Sequence, residues 1–249
     1  SFGNNFNTIE MKKIKVVIVD DERLSREELK RALRLYEDFI LIGEAENAYD
    51  AKDLIEKKMP DLIFLDIEMP ERSGFDLLES LENVPEVLFI TAHNQFAVQA
   101  FEVNALDYLL KPIRDERFSK AIEKIRNTIV MKSVLSNATE QDRRIFIKDG
   151  EKRFFIPLDE IYLIESLENY TRLYFQDKKA MQRRSLRQWE EMLDRTVFFR
   201  INRTEIVNIK YIQEVNSTID GGLEVKLKTG ELLKVSKRQS AKFKKSNGI

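Results

Sequence analysis

The stretch DLIFLDIEMPERSG (residues 61–74) decides the fold of the first half of the chain. Its opening run, DLIFLD, is apolar at consecutive positions, which is typical of a strand buried on both faces inside a parallel sheet. The strand ends at Asp66, and apolar residues at helical spacing follow Gly74. The stretch therefore predicts one strand–loop–helix unit.

Four further strands of the same character flank this unit: KVVIVD (15–20), FILIGEAE (39–46), VLFIT (87–91) and DYLLK (107–111). An amphipathic helical pattern follows each strand. The apolar face of the first helix is predicted at Leu24, Leu29, Ala32, Leu33 and Leu35, and the fourth helix is predicted through Phe96, Ala97, Ala100 and Phe101. Buried strands that alternate with helices form a parallel sheet covered on both faces. Residues 13–131 are therefore predicted to form a five-stranded, doubly wound α/β domain of the flavodoxin-like type.

The second half of the chain consists of short β-rich runs separated by turn signals such as DG, DGG and TG. One helix is predicted there, around Leu186 to Leu193. This pattern indicates a mostly antiparallel β domain over residues 144–249. We assign residues 1–12 to an N-terminal arm or an expression remnant, and the aperiodic residues 132–143 to a linker.

The composition limits the class of protein. With 249 residues, 43% of them hydrophobic and 34% charged, the chain has the composition of a soluble protein with two domains. No apolar run approaches the roughly 18 residues that span a bilayer, and no signal peptide is expected. The absence of cysteine excludes disulfides, a cysteine-based zinc site and a thiol nucleophile. We therefore expect a cytoplasmic protein without a membrane partner.

The formal net charge of −1 is unevenly distributed between the two halves. Residues 11–126 contain 18 Lys and Arg against 25 Asp and Glu, a net charge of −7. Residues 127–249 contain 24 against 17, a net charge of +7. A basic module beside an acidic one suggests a nucleic-acid partner for the second half. Ordinary surface variation produces differences of this size, so the motifs have to decide.

Charged and hydroxyl side chains lie where the predicted parallel strands end, which is the edge of such a sheet that binds ligands. The strands end in DDE (20–22), Asp66, Thr91 and Lys111. Clustered carboxylates favour a hard cation such as Mg²⁺, which would allow Asp66 to act as a nucleophile toward a phosphoryl group. Lys111 and Thr91 are suited to binding the phosphoryl oxygens.

Four segments, in this order, resemble the receiver-domain family over roughly residues 13–125: VDDE (19–22), LDIEMPERSG (65–74), ITA (90–92) and YLLKP (108–112). The resemblance implies that Asp66 is the phospho-acceptor. It also implies a Mg²⁺ site, with Asp21 as a direct ligand, that is formed by Asp20, Asp21, Asp66 and the backbone carbonyl of Glu68.

The same resemblance implies roles for the residues around the acceptor. Thr91 and Lys111 match the switch hydroxyl and lysine, and the Lys111–Pro112 bond is expected to be cis. Tyr108 matches the switch aromatic, although packing in the core is the alternative. His93, the only histidine, would border the phosphoryl group and influence its lifetime; an ordinary surface or packing role is the alternative.

The second half resembles the LytTR DNA-binding domain over about residues 143–245, in the segments 147–175, 198–208 and 232–243. The family implies a fold of short strands that contacts neighbouring major grooves through loops, with phosphate contacts that hold the register. Arg suits guanine, Asn suits adenine and Lys neutralises phosphate. The positions that match the family's three contact sites are Asn169, Tyr170, Thr171 and Arg172; Asn202 and Arg203; and Lys237 and Arg238.

Together these features predict a two-component response regulator that is not primarily an enzyme. A sensor histidine kinase would phosphorylate Asp66, two receivers would then pair into a homodimer, and the basic domains would bind promoter DNA. One alternative is a phosphotransferase or phosphatase of the haloacid-dehalogenase type, but those enzymes carry the nucleophilic Asp after the first strand. Another alternative is a receiver whose β domain binds protein rather than DNA.

Overall fold

A computed structural model describes residues 13–93, 105–135, 143–219 and 221–247. The chain divides into two compact units, Ser1–Asn137 and Ala138–Ile249. The predicted fourth helix of the first unit (Phe96 to Phe101) lies outside the described residues. Within the described ranges, no helix is both long enough and apolar enough to cross a membrane.

The first unit is a parallel sheet with helices between its strands. The strand order is β2-β1-β3-β4-β5 and every neighbouring pair is parallel, which confirms the predicted doubly wound fold. The described elements are β1 (Ile14–Val19), α1 (Arg23–Leu33), β2 (Phe39–Ala45), α2 (Ala48–Lys58), β3 (Leu62–Asp66), α3 (Gly74–Ser80), β4 (Glu86–Thr91), β5 (Asp107–Leu110) and α4 (Asp115–Leu135).

The core of this unit explains the unbroken apolar runs. All five residues of β3 and all six of β4 are buried, because the central strands are covered on both faces. On one face Phe64 meets Phe118 of α4 edge-on, with the ring centroids 5.9 Å apart. Ile122 and Ile125 of α4 are fully buried in the same cluster. The helix is therefore held to the sheet by one continuous apolar stripe.

Two features of the helices differ from the sequence prediction. The predicted apolar face of α1 included Leu24 and Leu35, but these side chains are 74% and 80% exposed, and Leu35 lies beyond the end of the helix. Ser25 and Arg26 are buried there instead. Helix α4 continues to Leu135, four residues into the predicted linker, because the run MKSVL contains no residue that breaks a helix.

The second unit is built from three antiparallel sheets, which confirms the predicted β fold. The central sheet has the order β10-β9-β8-β12-β11, and a three-stranded sheet β13-β14-β15 and a hairpin β6-β7 accompany it. The elements are β6 (Arg144–Asp149), β7 (Lys152–Pro157), β8 (Ile161–Leu167), β9 (Tyr170–Phe175), β10 (Lys178–Gln182), α5 (Leu186–Met192), β11 (Phe198–Arg200), β12 (Glu205–Asn208), β13 (Ile212–Ser217), β14 (Leu223–Leu227), β15 (Leu232–Val235) and α6 (Lys237–Asn247).

The central sheet of this unit has an apolar cluster on each side. One cluster joins β6, β7 and α5 to the sheet and contains the fully buried Trp189. The other joins β14, β15 and α6 to the sheet and contains Phe243, whose ring meets that of Phe199 at a centroid distance of 5.2 Å. Helix α6 is thereby fixed against β11.

Helix α6 is a correction to the sequence prediction, which gave one helix in this half. The buried face of α6 consists of Gln239, Ser240 and Phe243. A face with a single large apolar residue produces little helical periodicity, so the pattern did not reveal it.

Candidate functional site

The C-terminal ends of four strands of the parallel sheet meet at one edge. Val19 lies beside Leu65, Asp66 beside Ile90, and Thr91 beside Leu110. The residues that end or follow these strands therefore open into one crevice, which we call the acidic crevice and define by Asp20, Asp21, Asp66, Thr91 and Lys111.

Three carboxylates lie together in the acidic crevice. Oxygens of Asp20, Asp21 and Asp66 lie within 4.8 Å of one another, the only such group of acidic or histidine side chains among the described residues. Asp20 and Asp66 are 1% and 5% exposed, whereas Asp21 is exposed to solvent. The crevice is thus deep on two sides and open on one.

Lys111 connects the carboxylates. Its Nζ lies 2.6 Å from Oδ2 of Asp66 and 2.9 Å from Oδ2 of Asp20, and 3.2 Å from Oε2 of Glu22 at the rim. Burial disfavours the charged ammonium, but the hydrogen bonds to Asp66 and Asp20 outweigh burial and raise the pKa of Lys111. The side chain therefore stays positively charged at neutral pH.

One ammonium does not balance three carboxylates. Burial raises the pKa of Asp66, and the hydrogen bonds from Lys111 and from the Glu68 backbone N–H oppose this only in part. A compact set of oxygens with excess negative charge is what Mg²⁺ prefers. The side chains present therefore fit a bound divalent cation.

Helix α1 supports the acidic pair in a way that the sequence prediction missed. Ser25 Oγ donates to Oδ2 of Asp20 at 2.5 Å. Arg26 Nη1 donates to the backbone carbonyls of Asp20 and Asp21 at 2.7 and 3.3 Å. A signal was present, because Ser25 and Arg26 occupy the helix face on which apolar residues were expected.

The loop after β3 is drawn tightly against Asp66. Gly74 N donates to the carbonyl of Ile67 at 2.9 Å, and Ser73 and Asp76 form a reciprocal capping box at the start of α3. A Cβ atom at Gly74 would lie 2.4 Å from the carbonyl oxygen of Asp66. Only glycine allows this approach, so Gly74 fixes the backbone that carries Asp66.

Thr91 lies inside the crevice, and Glu68 and His93 lie at its solvent-exposed edge. Thr91 is fully buried, and its Oγ1 accepts a hydrogen bond of 3.1 Å from the backbone N–H of His93. His93 Nε2 lies 3.0 Å from Oε2 of Glu68. The backbone N–H of Glu68 donates to Oδ1 of Asp66 at 2.9 Å. His93 is therefore neither isolated nor packed in the core.

Tyr108 and the Lys111–Pro112 bond complete the first site. The bond is cis, as predicted. Tyr108 is half-buried, and the Arg117 guanidinium lies 5.8 Å from its ring centroid. Arg117 also binds Asp107 and the carbonyl oxygen of Tyr108. Tyr108 thus lies in a surface cavity with Lys111 and Pro112 rather than in the core.

The three segments predicted to contact DNA lie at one end of the second unit. Glu165 of β8 pairs with Glu205 of β12, and Ser166 N donates to the carbonyl of Thr204 at 2.7 Å, which joins the first segment to the second. Ser236 N donates to the carbonyl of Ile201 at 2.9 Å, which joins the third to the second. We call this end the loop end.

In the second segment, Asn202 and Arg203 behave differently. Asn202 Nδ2 donates to Glu205 and to the carbonyl of Lys234, and its Oδ1 accepts from the N–H of Thr204. Its amide is therefore used to shape the loop. Arg203 is exposed. The loop is held from below by Arg200, a residue that the sequence prediction missed, which donates to the carbonyls of Asn202 and Arg203 at 3.1 and 2.9 Å.

In the third segment, Lys237 and Arg238 are both exposed and form the first turn of α6. In the first segment, Asn169 and Tyr170 are exposed at the β8–β9 turn. Arg172 is half-buried and its Nη1 lies 3.4 Å from Oε2 of Glu165.

Thr171 is a correction. Predicted to contact DNA, it is fully buried, accepts a hydrogen bond of 2.8 Å from Trp189 Nε1 and donates to the carbonyl of Gln182 at 3.4 Å. Side chains alternate along β9, so Thr171 points into the core while its neighbours Tyr170 and Arg172 face outward. Its role is to hold Trp189.

Comparison with known proteins gives two family matches. Residues 16–123 match the response regulator receiver domain, and residues 151–247 match the LytTr DNA-binding domain. The response regulatory domain of protein mrkE from Klebsiella pneumoniae is a similar solved structure, 31% identical over 47% of this chain and 99% of that chain, with a TM-score of 0.44.

Two relatives match this chain over nearly its whole length and nearly their own. The sensory transduction protein LytT of Enterococcus faecalis is 32% identical over 240 residues, covering 94% of this chain and 99% of that protein. The transcriptional regulatory protein BtsR of Salmonella typhimurium is 33% identical over 241 residues, covering 95% of this chain and 100% of that protein. The chain therefore belongs to the family of response regulators that join a receiver domain to a LytTR DNA-binding domain.

Proposed function

We propose that the chain is a cytoplasmic transcriptional regulator, not an enzyme, whose DNA binding is controlled by phosphorylation of Asp66. The observation that carries the proposal is the contact of Lys111 Nζ with both Asp66 and Asp20 at the edge of the parallel sheet. A buried carboxylate held by an ammonium, beside two further carboxylates, is equipped to accept a phosphoryl group and to retain it.

In the proposed reaction, a carboxylate oxygen of Asp66 attacks the phosphorus of a phosphohistidine on the sensor kinase. The P–N bond breaks, and the imidazole leaves with its electron pair. Asp20, Asp21, Asp66 and the carbonyl of Glu68 would hold Mg²⁺, which offsets the repulsion between the carboxylate and the phosphoryl oxygens. Lys111 then exchanges Asp66 for a phosphoryl oxygen, and the Thr91 hydroxyl donates to another.

The Glu68–His93 pair is the proposed control on how long the phosphoryl group survives. Both side chains lie at the solvent-facing rim, about half-exposed. An imidazole at this place can hydrogen-bond a phosphoryl oxygen or orient an attacking water molecule. Its carboxylate partner fixes the ring in the rest state.

The proposed output is association. Movement of Thr91 toward the phosphoryl group, with rearrangement of Tyr108, would remodel the surface around β5 and allow two receivers to pair. Pairing places two LytTR domains on adjacent promoter sites. The second binding event then benefits from a high effective concentration.

Phosphorylation of the full chain by acetyl phosphate tests the first step. Intact mass is measured with Mg²⁺ and with chelator, for the unmodified chain, Asp66→Asn and the control Asp53→Asn, an exposed carboxylate of α2. We expect one phosphoryl group in the unmodified chain and the control, and none in Asp66→Asn or with chelator. Phosphorylation of Asp66→Asn would show that the acceptor is another residue.

A further inference from the structure

Helix α6 has a composition unlike the other helices that the structure describes. Its sequence, KRQSAKFKKSN, contains five basic residues and no acidic one. By contrast, α5 pairs Arg187 with Glu191, and α4 pairs Lys120 with Glu116. Helix α6 therefore carries positive charge that nothing in its own sequence balances.

Three of the five charges of α6 lie on one face. Arg238, Lys242 and Lys245 follow each other at spacings of four and three residues, so they project from the same side of the helix, and all three are exposed. The opposite face packs into the core through Ser240 and Phe243. We call the exposed side the basic face.

This arrangement is unfavourable for the helix itself. Like charges spaced four residues apart destabilise a helix by about 0.2–0.5 kcal/mol per pair. Basic residues in the first turn, Lys237 and Arg238, also oppose the helix dipole. A polyanion that lies along the helix would reverse both effects. Its phosphates would pair with the basic side chains and would be stabilised at the positive N-terminal end of the helix dipole.

Gln239, Lys242 and Lys245 of α6 line a groove between α5, β11 and α6. Glu190 lies 2.7 Å from Arg200, and Glu191 lies 3.1 Å from Arg187, so the two acidic residues of the groove are engaged. Arg195 is exposed on the facing wall. Among the described residues, neither Lys242 nor Lys245 forms an ion pair with an acidic side chain.

We propose that α6 lies along the sugar-phosphate backbone of DNA, with Lys242 and Lys245 binding successive phosphates beyond the bases reached by Arg238. The inference rests on the proposed DNA-binding function and extends the interface beyond the contact residues that the resemblance implies. At a rise of about 1.5 Å per residue, Arg238 and Lys245 are about 10 Å apart along the helix. Measured along the duplex axis, one strand of B-DNA presents about three phosphates over that length.

The test measures affinity over a salt series. A DNA site is selected from a random pool with the full chain, and binding to this site and to a scrambled duplex is compared for the unmodified chain and for Lys242→Gln/Lys245→Gln. The slope of log K against log salt is negative, and we expect its magnitude to fall by about two. Affinity at 0.1 M salt should fall on the order of tenfold, equally on both duplexes.

A matched control removes the same charge elsewhere. Lys178→Gln/Lys179→Gln changes the exposed start of β10, which pairs with the end of β9 remote from Tyr170, and should leave the salt slope unchanged. Because the α6 substitutions remove repulsion, the thermal midpoint should not fall. An unchanged slope for Lys242→Gln/Lys245→Gln in a chain that still binds DNA would overturn the inference alone. Failure of the unmodified chain to retain any duplex would overturn the proposed function as well.

Discussion

The acidic crevice and the loop end use charge in opposite ways. In the crevice the buried Asp20 and Asp66 share the half-buried Lys111, which also contacts Glu22 at the rim, while Asp21 is exposed. At the loop end, Arg203 and Arg238 are exposed, while the backbone beneath them is held by other groups. The crevice is held together by its own ion pairs, whereas the loop end presents exposed side chains on a hydrogen-bonded backbone.

The contrast assigns different consequences to substitution. A change in the crevice should alter chemistry that depends on distances of about 3 Å. A change at the loop end should alter binding energy if the side chain is exposed, and stability if it belongs to the frame. The predictions below separate these outcomes, beginning with the largest.

The exposed arginines should read sequence. Arg203→Ala and Arg238→Ala should each cost about 1–3 kcal/mol on the selected DNA site and less on scrambled DNA, where phosphate contacts dominate. Lys237→Ala should weaken binding to both duplexes similarly. It should also lower the magnitude of the slope of log K against log salt by about one. Equal losses on both duplexes for the arginines would show that they only position the protein. Competition titrations at fixed salt measure the difference.

Gly74 should be the least replaceable part of the frame of the crevice. Gly74→Ala places a methyl group against the carbonyl of Asp66 and should cost about 1–3 kcal/mol in the free energy of unfolding, with slower phosphorylation by acetyl phosphate. Gly43→Ala is the control, because its added methyl meets only the flexible end of Leu54. Urea unfolding compares the two. An equal loss of unfolding free energy in the two variants would mean that the close approach of Gly74 to the carbonyl of Asp66 does not destabilise the alanine variant.

Thr171 should affect stability and not recognition. Thr171→Val leaves the indole N–H of Trp189 without its acceptor and should cost about 1–2 kcal/mol of unfolding free energy. The DNA affinity of the folded protein should not change. Thr229→Val, at an exposed turn, controls for the loss of a hydroxyl. A selective loss of DNA affinity at temperatures where the variant is fully folded would restore Thr171 to the interface.

The smallest effect is expected at His93. His93→Ala removes the partner of Glu68 and should change the decay rate of phosphorylated Asp66 by a few-fold, an energy of about 1 kcal/mol or less. The decay is followed by intact mass after removal of acetyl phosphate. A decay rate equal to that of the unmodified chain would leave His93 with a surface role only.

The sequence predicted the crevice better than the loop end, for a physical reason. Parallel strands that are buried on both faces are recognisable in a sequence as unbroken apolar runs. The fold then brings their C-terminal ends together wherever they occur in the chain. Asp66, Thr91 and Lys111 were therefore predictable from position alone. Ser25 and Arg26 were missed although they lie on the same face of α1 as Leu29 and Leu33, because polar residues in a helical pattern are ordinarily assigned to the exposed face.

At the loop end the sequence predicted three contact segments, which the structure brings together, but it did not predict the contacts of each side chain. Thr171 and Arg172 are neighbours of similar polarity, and only the alternation of β9 against the core separates them. Asn202 was predicted to contact a base, yet its side-chain amide forms hydrogen bonds with Glu205, Thr204 and the carbonyl of Lys234. Such assignments depend on contacts between distant parts of the chain, which periodicity does not contain.

The central claim is that the state of the acidic crevice controls binding at the loop end. Its most direct test is the affinity of the full chain for the selected DNA site at fixed salt and Mg²⁺, with and without acetyl phosphate, for the unmodified chain and Asp66→Asn. The account predicts that phosphorylation tightens binding of the unmodified chain by about tenfold or more, through pairing of receivers, and leaves Asp66→Asn unchanged. Equal affinity of the phosphorylated and unphosphorylated chain, or an equal response of Asp66→Asn, would contradict it.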